Sequence, residues 1–125
     1  NPLAMAAGIA TLEALEAPGV YDQLAARSAA LATGLRTIAE EEGVALTSTS
    51  VGGMFVFYFH HGPVRCFGDA KKNDEKRFRR FFAQMLDAGV YLAPSPYEAG
   101  FVSITHEDEQ IQATLDAAAE TFALL

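Results

Sequence analysis

Glu98 has the setting in this chain that most invites chemistry. It follows Pro94-Ser95-Pro96-Tyr97 and precedes Ala99-Gly100. Proline fixes φ and lacks an N–H, so the two prolines keep the segment out of helix and out of a central strand. Gly100 accepts backbone angles that other residues avoid. A lone carboxylate in such a loop is either a solvated loop residue or a placed functional group, since loops are exposed and also carry function. Other residue types invite chemistry less. His60-His61 with Cys66 matches no tetrahedral ligand spacing and lacks a second ligand cluster, so a strand-end histidine pair is expected and no metal. Cys66 has no visible base or thiolate-favouring neighbour. Gly52-Gly53 lies in no phosphate-loop pattern and reads as a turn or a close backbone approach.

The elements that must position Glu98 follow from periodicity. Pro2–Leu15 reads as a helix with a proline in its first turn and a surface of small residues, Ala4, Ala6, Ala7, Gly8 and Ala10, suited to close approach of another backbone. Ala17-Pro18-Gly19 interrupts it. A second helix is expected from about Val20 to Glu42, with Leu24, Leu31, Leu35 and Ile38 near one face. Val44–Ser50 holds short β-prone runs. Met54–Phe59 is the strongest strand, expected to be central and covered on both faces. Asn73 or Asp74 is placed to cap a helix whose Phe78, Phe81, Phe82, Met85 and Leu86 form an apolar stripe. Val90–Leu92 and Phe101–Ile104 read as strands around the Glu98 loop. Thr105 with Asp108 resembles a capping box, and the last helix buries Ile111, Leu115, Ala118 and Phe122. This order predicts an α+β fold, a small antiparallel or mixed sheet with helices packed on one side.

Composition narrows the function classes. The 125 residues suit one domain, half of them hydrophobic and 20% charged, so a packed core is expected and disorder is not. A formal net charge of −7 argues against nucleic acid, which demands clustered cations. The basic cluster Lys71, Lys72, Lys76, Arg77, Arg79 and Arg80 is interleaved with Asp69, Asp74 and Glu75, as on a solvated helix face. A single cysteine fits a reducing, cytoplasmic setting. No apolar run is long enough to span a membrane, so none is expected as a partner, and no signal peptide is visible. The chain begins with Asn1, so a piece of a longer protein is expected.

Several stretches together resemble the C-terminal part of the glutamate-1-semialdehyde 2,1-aminomutase family, class-III aminotransferase-like enzymes that use pyridoxal phosphate (PLP). They are Asn1–Gly8, Val51–Phe55, Asp69–Asp74 through Arg77-Phe78, Gly89–Ser95, and Glu98–Ser103 with His106. The run Leu92-Ala-Pro-Ser-x-x-Glu98-Ala-Gly-Phe101 is the most specific. The resemblance covers essentially the whole chain. It implies residues 1–125 as a single C-terminal domain of a fold-type-I homodimer acting on a small molecule. It implies conversion of glutamate-1-semialdehyde to 5-aminolevulinate, towards tetrapyrroles, with Glu98 as the residue that enters the chemistry. It also implies a PLP-binding domain upstream that carries the Schiff-base lysine and phosphate groups. None of Lys71, Lys72 and Lys76 matches that lysine, so the piece alone is expected to hold no PLP and to be inactive.

Related transaminases carry an arginine followed by two prolines near Val102–His106, where this sequence has Val-Ser-Ile-Thr-His. Val56 stands where the family often has glycine, and Glu107 where it often has threonine; both are expected to affect packing and capping. Another class-III PLP transaminase, or a non-catalytic binding or dimerisation module on this fold, are the alternative readings.

Overall fold

A computed structural model describes all residues from Asn1 to Leu125. Eight elements follow in order: α1 (Pro2–Leu15), α2 (Val20–Glu41), β1 (Thr47–Val51), β2 (Met54–Tyr58), α3 (Phe67–Ala70), α4 (Glu75–Asp87), β3 (Gly100–Phe101) and α5 (Asp108–Phe122). The three strands form one antiparallel sheet in the order β1-β2-β3. The α+β architecture is the one that the periodicity predicts.

The sheet starts from a two-residue hairpin. Gly52 has φ +56, which suits glycine at the first central position of a tight hairpin turn. Thr47 then pairs with Tyr58 and Val51 with Met54. The hydroxyl of fully buried Ser28 on α2 donates to the Gly52 carbonyl, and Ser48 donates to the Ala32 carbonyl at 2.6 Å. These bonds hold α2 across one face of the hairpin.

Period-two alternation sends Phe55, Phe57 and then Phe59 to that same face. There the aromatic stripe of α4 meets them: the Phe81 ring lies 5.5 Å from both Phe57 and Phe59 and stacks on Phe122 of α5 at 4.8 Å. Leu35, Phe81, Met85 and Phe122 are almost wholly removed from water. Burying each such side chain stabilises the fold by about 1.5–3 kcal/mol. Helices α2 and α5 come close at Gly34, where an added Cβ would sit within 2.7 Å of both Leu115 methyls.

Three expectations are corrected here. β2 is central, but it is covered on one face only. Val51, Met54 and Phe101 on the opposite face are 70%, 42% and 68% exposed, because every helix that touches the sheet packs on the Phe55–Phe59 side. Val90–Leu92 forms no strand, since no neighbour in this chain offers a ladder, and β3 is limited to Gly100–Phe101 with one further bond from the Val102 amide to the Gly53 carbonyl. The box at the start of α5 joins Glu107 and Gln110, not Thr105 and Asp108; the Glu107 amide donates to Gln110 Oε1 at 2.9 Å, while Thr105 is engaged with Ser103. Glu107 therefore caps a helix, as its departure from the family pattern leads one to expect. Asp74 caps α4 by accepting from the Lys76 and Arg77 amides.

Helix α1 has the predicted bounds and is capped by the Asn1 side chain. None of its residues is buried, and nothing approaches Gly8. No single helix is long and apolar enough to cross a membrane.

Candidate active-site loop

Three anchors shape the segment that carries Glu98. Ser95 Oγ accepts from the Tyr97 amide at 3.3 Å, and the Glu98 amide donates to the Ser95 carbonyl at 3.3 Å, which folds Ser95–Glu98 into a turn. The Tyr97 hydroxyl donates to Glu75 Oε1 at 2.7 Å in the first turn of α4, and its ring lies 5.9 Å from Phe67 of α3. Gly100 lies flat against the buried Phe55 ring; an added Cβ would come within 3.0 Å of three ring atoms. Here glycine serves close packing rather than an unusual φ.

Between these anchors Glu98 is exposed, and its carboxylate makes no hydrogen bond or ion pair within the chain. It borders a small cavity of about 20 Å³ beneath the loop, together with Phe55, Phe78, Leu92 and Pro96. The two aromatic residues near it, Tyr97 and Phe101, do not shield it. Tyr97 is committed to Glu75, and Phe101 points to the open face of the sheet. The arrangement presents an unengaged carboxylate on a rigidly held turn, able to accept hydrogen bonds from a cationic amine.

The other candidates sit apart from it. His60 follows β2, His61 is exposed, and Cys66 Sγ lies 3.6 Å from Asp69 Oδ2; no three His, Cys, Asp or Glu side chains converge. Asp69 also accepts from Lys72 Nζ at 2.7 Å and from the Arg65 amide at 3.2 Å. These bonds, the one from Lys72 foremost, bring its carboxyl down to about 2. The Lys72 ammonium is stabilised in return, by its bond to Asp69 first, and its pKa is raised.

Sequence reasoning missed three positioning residues. Glu75 holds Tyr97. Asn73, buried, accepts the Phe59 amide at 2.6 Å while the Asp74 amide donates to the Phe59 carbonyl at 3.0 Å. Arg27 donates to the Ile104 carbonyl at 2.6 Å and so fixes the turn after β3. Each joins residues far apart in the chain, where spacing carries no signal.

The fold is that of a small α+β domain found in PLP-dependent transaminases. An omega-transaminase from Sphaerobacter thermophilus superposes with a TM-score of 0.81 over 98% of this chain and 28% of its own, at 23% identity. The FumI protein of Sphingopyxis sp. MTA144, solved with PLP, gives 0.74 over 96% and 26%, at 28% identity. A β-phenylalanine aminotransferase from Variovorax paradoxus gives 0.67 over 78% and 22%, also at 28% identity. The chain thus spans about a quarter of the length of these solved enzymes. No protein-family model matches it.

The residues present do not by themselves fit PLP. Covalent capture of the cofactor's carbonyl requires a lysine whose charge its surroundings suppress. Lys72 has the opposite environment beside Asp69. The Lys71 ammonium lies over the Phe67 ring, 5.5 Å from its centroid, and Lys76 is exposed on the first turn of α4. No lysine borders the cavity beneath the Glu98 loop.

Proposed function

We propose that this chain is the small domain of a larger PLP-dependent enzyme of the class-III aminotransferase kind, and that the parent enzyme is an aminomutase converting glutamate-1-semialdehyde to 5-aminolevulinate. The fold shared with PLP transaminases supports the class. The aminomutase reading is carried by one observation: the run Leu92–Phe101 that resembles that family folds into an anchored turn with the Glu98 carboxylate free at its surface. In this reading the parent works as a cytoplasmic homodimer, PLP and its lysine come from the remainder of the chain, and the cofactor supplies the electron sink when bound. Glu98 faces the bound substrate and accepts hydrogen bonds from its amino groups, holding an ammonium while nitrogen moves between neighbouring carbons. The Val102–His106 segment supports the same reading, because it has neither the arginine nor the two prolines that related transaminases carry there.

The solved neighbours, an omega-transaminase and a β-phenylalanine aminotransferase, favour a second reading, an ordinary transaminase. The two separate in one assay of the full-length enzyme. An aminomutase turns over glutamate-1-semialdehyde with no external keto acid, whereas a transaminase requires one and shows net transfer to it.

The same protein tests Glu98. Glu98→Gln keeps size and removes charge; turnover is expected to fall about tenfold or more at unchanged melting temperature. Turnover equal to the parent's reduces Glu98 to a loop residue.

A further inference from the structure

The sequence marks Val90–Leu92 as a strand, yet the structure leaves it without a ladder. The amides and carbonyls of Tyr91, Leu92 and Ala93 have no hydrogen-bond partner in the chain. Facing them across a groove is the free edge of β3. The Val102 amide bonds the Gly53 carbonyl, so Gly53 and Val102 form a hydrogen-bonded pair and the adjacent Met54–Phe101 pair does not. The N–H and C=O of Phe101 therefore point away from β2, towards the groove. The cavity between these two walls measures about 550 Å³, and core residues Leu31, Phe55 and Ile111 line it. A strand residue fills about 160 Å³, from its rise, the strand spacing and the sheet spacing. The groove thus matches three or four strand residues, the length of the Val90–Ala93 wall.

We propose that this groove receives a β-strand from the remainder of the same polypeptide, which pairs with Phe101 on one side and with Tyr91–Ala93 on the other. Two unpaired backbone walls over an apolar floor specify an extended backbone rather than a helix or a small molecule, because only a strand satisfies both edges at once. One set of its alternate side chains is apolar and faces Leu31 and Ile111. The insert turns the three-stranded sheet into a wider one and gives the end of the Glu98 loop a fixed neighbour. The source of the strand rests on the proposed function, in which this domain is about a quarter of its enzyme; the pairing itself does not.

The test uses the intact enzyme. Hydrogen exchange of the Phe101 amide and of the alternate amides of Tyr91–Ala93 that face the groove is expected to run at least about 100-fold slower than in an unstructured chain. Exchange at the unstructured rate overturns the proposal. A photo-crosslinker, p-benzoylphenylalanine, replaces Tyr91 in a mixture of isotopically light and heavy subunits. Links to a peptide of the same chain outside residues 1–125 support the proposed occupant; links confined to residues 1–125, as to nearby Phe82, overturn it, and links between light and heavy chains overturn it in favour of a partner subunit's strand. Neither readout involves PLP or turnover, so a failed aminomutase assay leaves this result standing, and the reverse also holds.

Discussion

Tyr97 and Glu75, twenty-two residues apart, share a 2.7 Å hydrogen bond that ties the Glu98 turn to the first turn of α4. The bond from the phenol to the Glu75 carboxylate is the main cause that raises the Tyr97 pKa above its ordinary 10.0. A raised folded-state pKa adds stability that is complete below the unfolded value and is lost as pH rises through the folded one. Tyr97→Phe is therefore expected to lower the melting temperature at pH 8, and the gap to the parent is expected to close as pH climbs past about 10. Melting curves across that range check this; a gap that does not change with pH refutes it.

Gly100→Ala places a methyl group against the Phe55 ring, which is buried and cannot swing aside. The backbone must move instead. A loss of about 1–3 kcal/mol is expected from overpacking. Denaturant titration gives the number, and Phe55→Leu in the same background is expected to recover part of it. Additive losses in the double variant would show that ring and glycine do not oppose each other.

Asp69 supplies a pH dependence of opposite sign. Its carboxyl, held down to about 2 by Lys72 and the Arg65 amide, contributes stability that is full above the ordinary 3.8 and fades as pH falls through 2. Asp69→Asn is expected to melt below the parent at pH 6 and to converge with it near pH 2. Because the pair lies at the surface, the shift is small and shrinks further in high salt.

Helix α1 predicts association. Leu3, Met5, Ile9 and Leu12 are each more than half exposed, a run of apolar surface on a helix that buries nothing. The 125-residue chain is expected to melt cooperatively on its Phe-rich core, yet to sediment with a concentration-dependent mass. Ile9→Lys with Leu12→Lys is expected to abolish the concentration dependence and leave the melt in place. A non-cooperative melt would show that the remainder of the enzyme is needed for folding.

Much of this architecture is legible in the sequence because it is local. Asn1-Pro2 announces the start of α1, the phenylalanine spacing marks α4, and Gly52-Gly53 between β-prone runs marks the hairpin. The strand propensity of Val90–Leu92 is equally local, but a strand exists only with a partner, and this chain provides none. The candidate site divides in the same way. Glu98 and its prolines stand out in one window of sequence. The contacts that hold the turn, Tyr97 with Glu75 and Gly100 with Phe55, join positions whose separation obeys no period. The direction in which the carboxylate points was therefore illegible until the chain was folded.

Asn73, Asp74 and Glu75 are consecutive, yet the first two grip the end of β2 at Phe59 and the third grips the loop at Tyr97. Two distant parts of the chain are thus registered on a three-residue clamp. The stretch from His61 to Arg65 lies between that clamp and α3, both held in place, so its own length is free: lengthening a loop whose ends are already held adds only a slowly growing closure entropy. Insertions or deletions between His61 and Arg65, before α3 brings Phe67 against Tyr97, should be absorbed there without displacing Glu98, whereas one added residue between Asp74 and Glu75 would swing Tyr97's partner around the helix by about 100°. The clamp divides this small domain into a segment free to vary in length and a segment that is not.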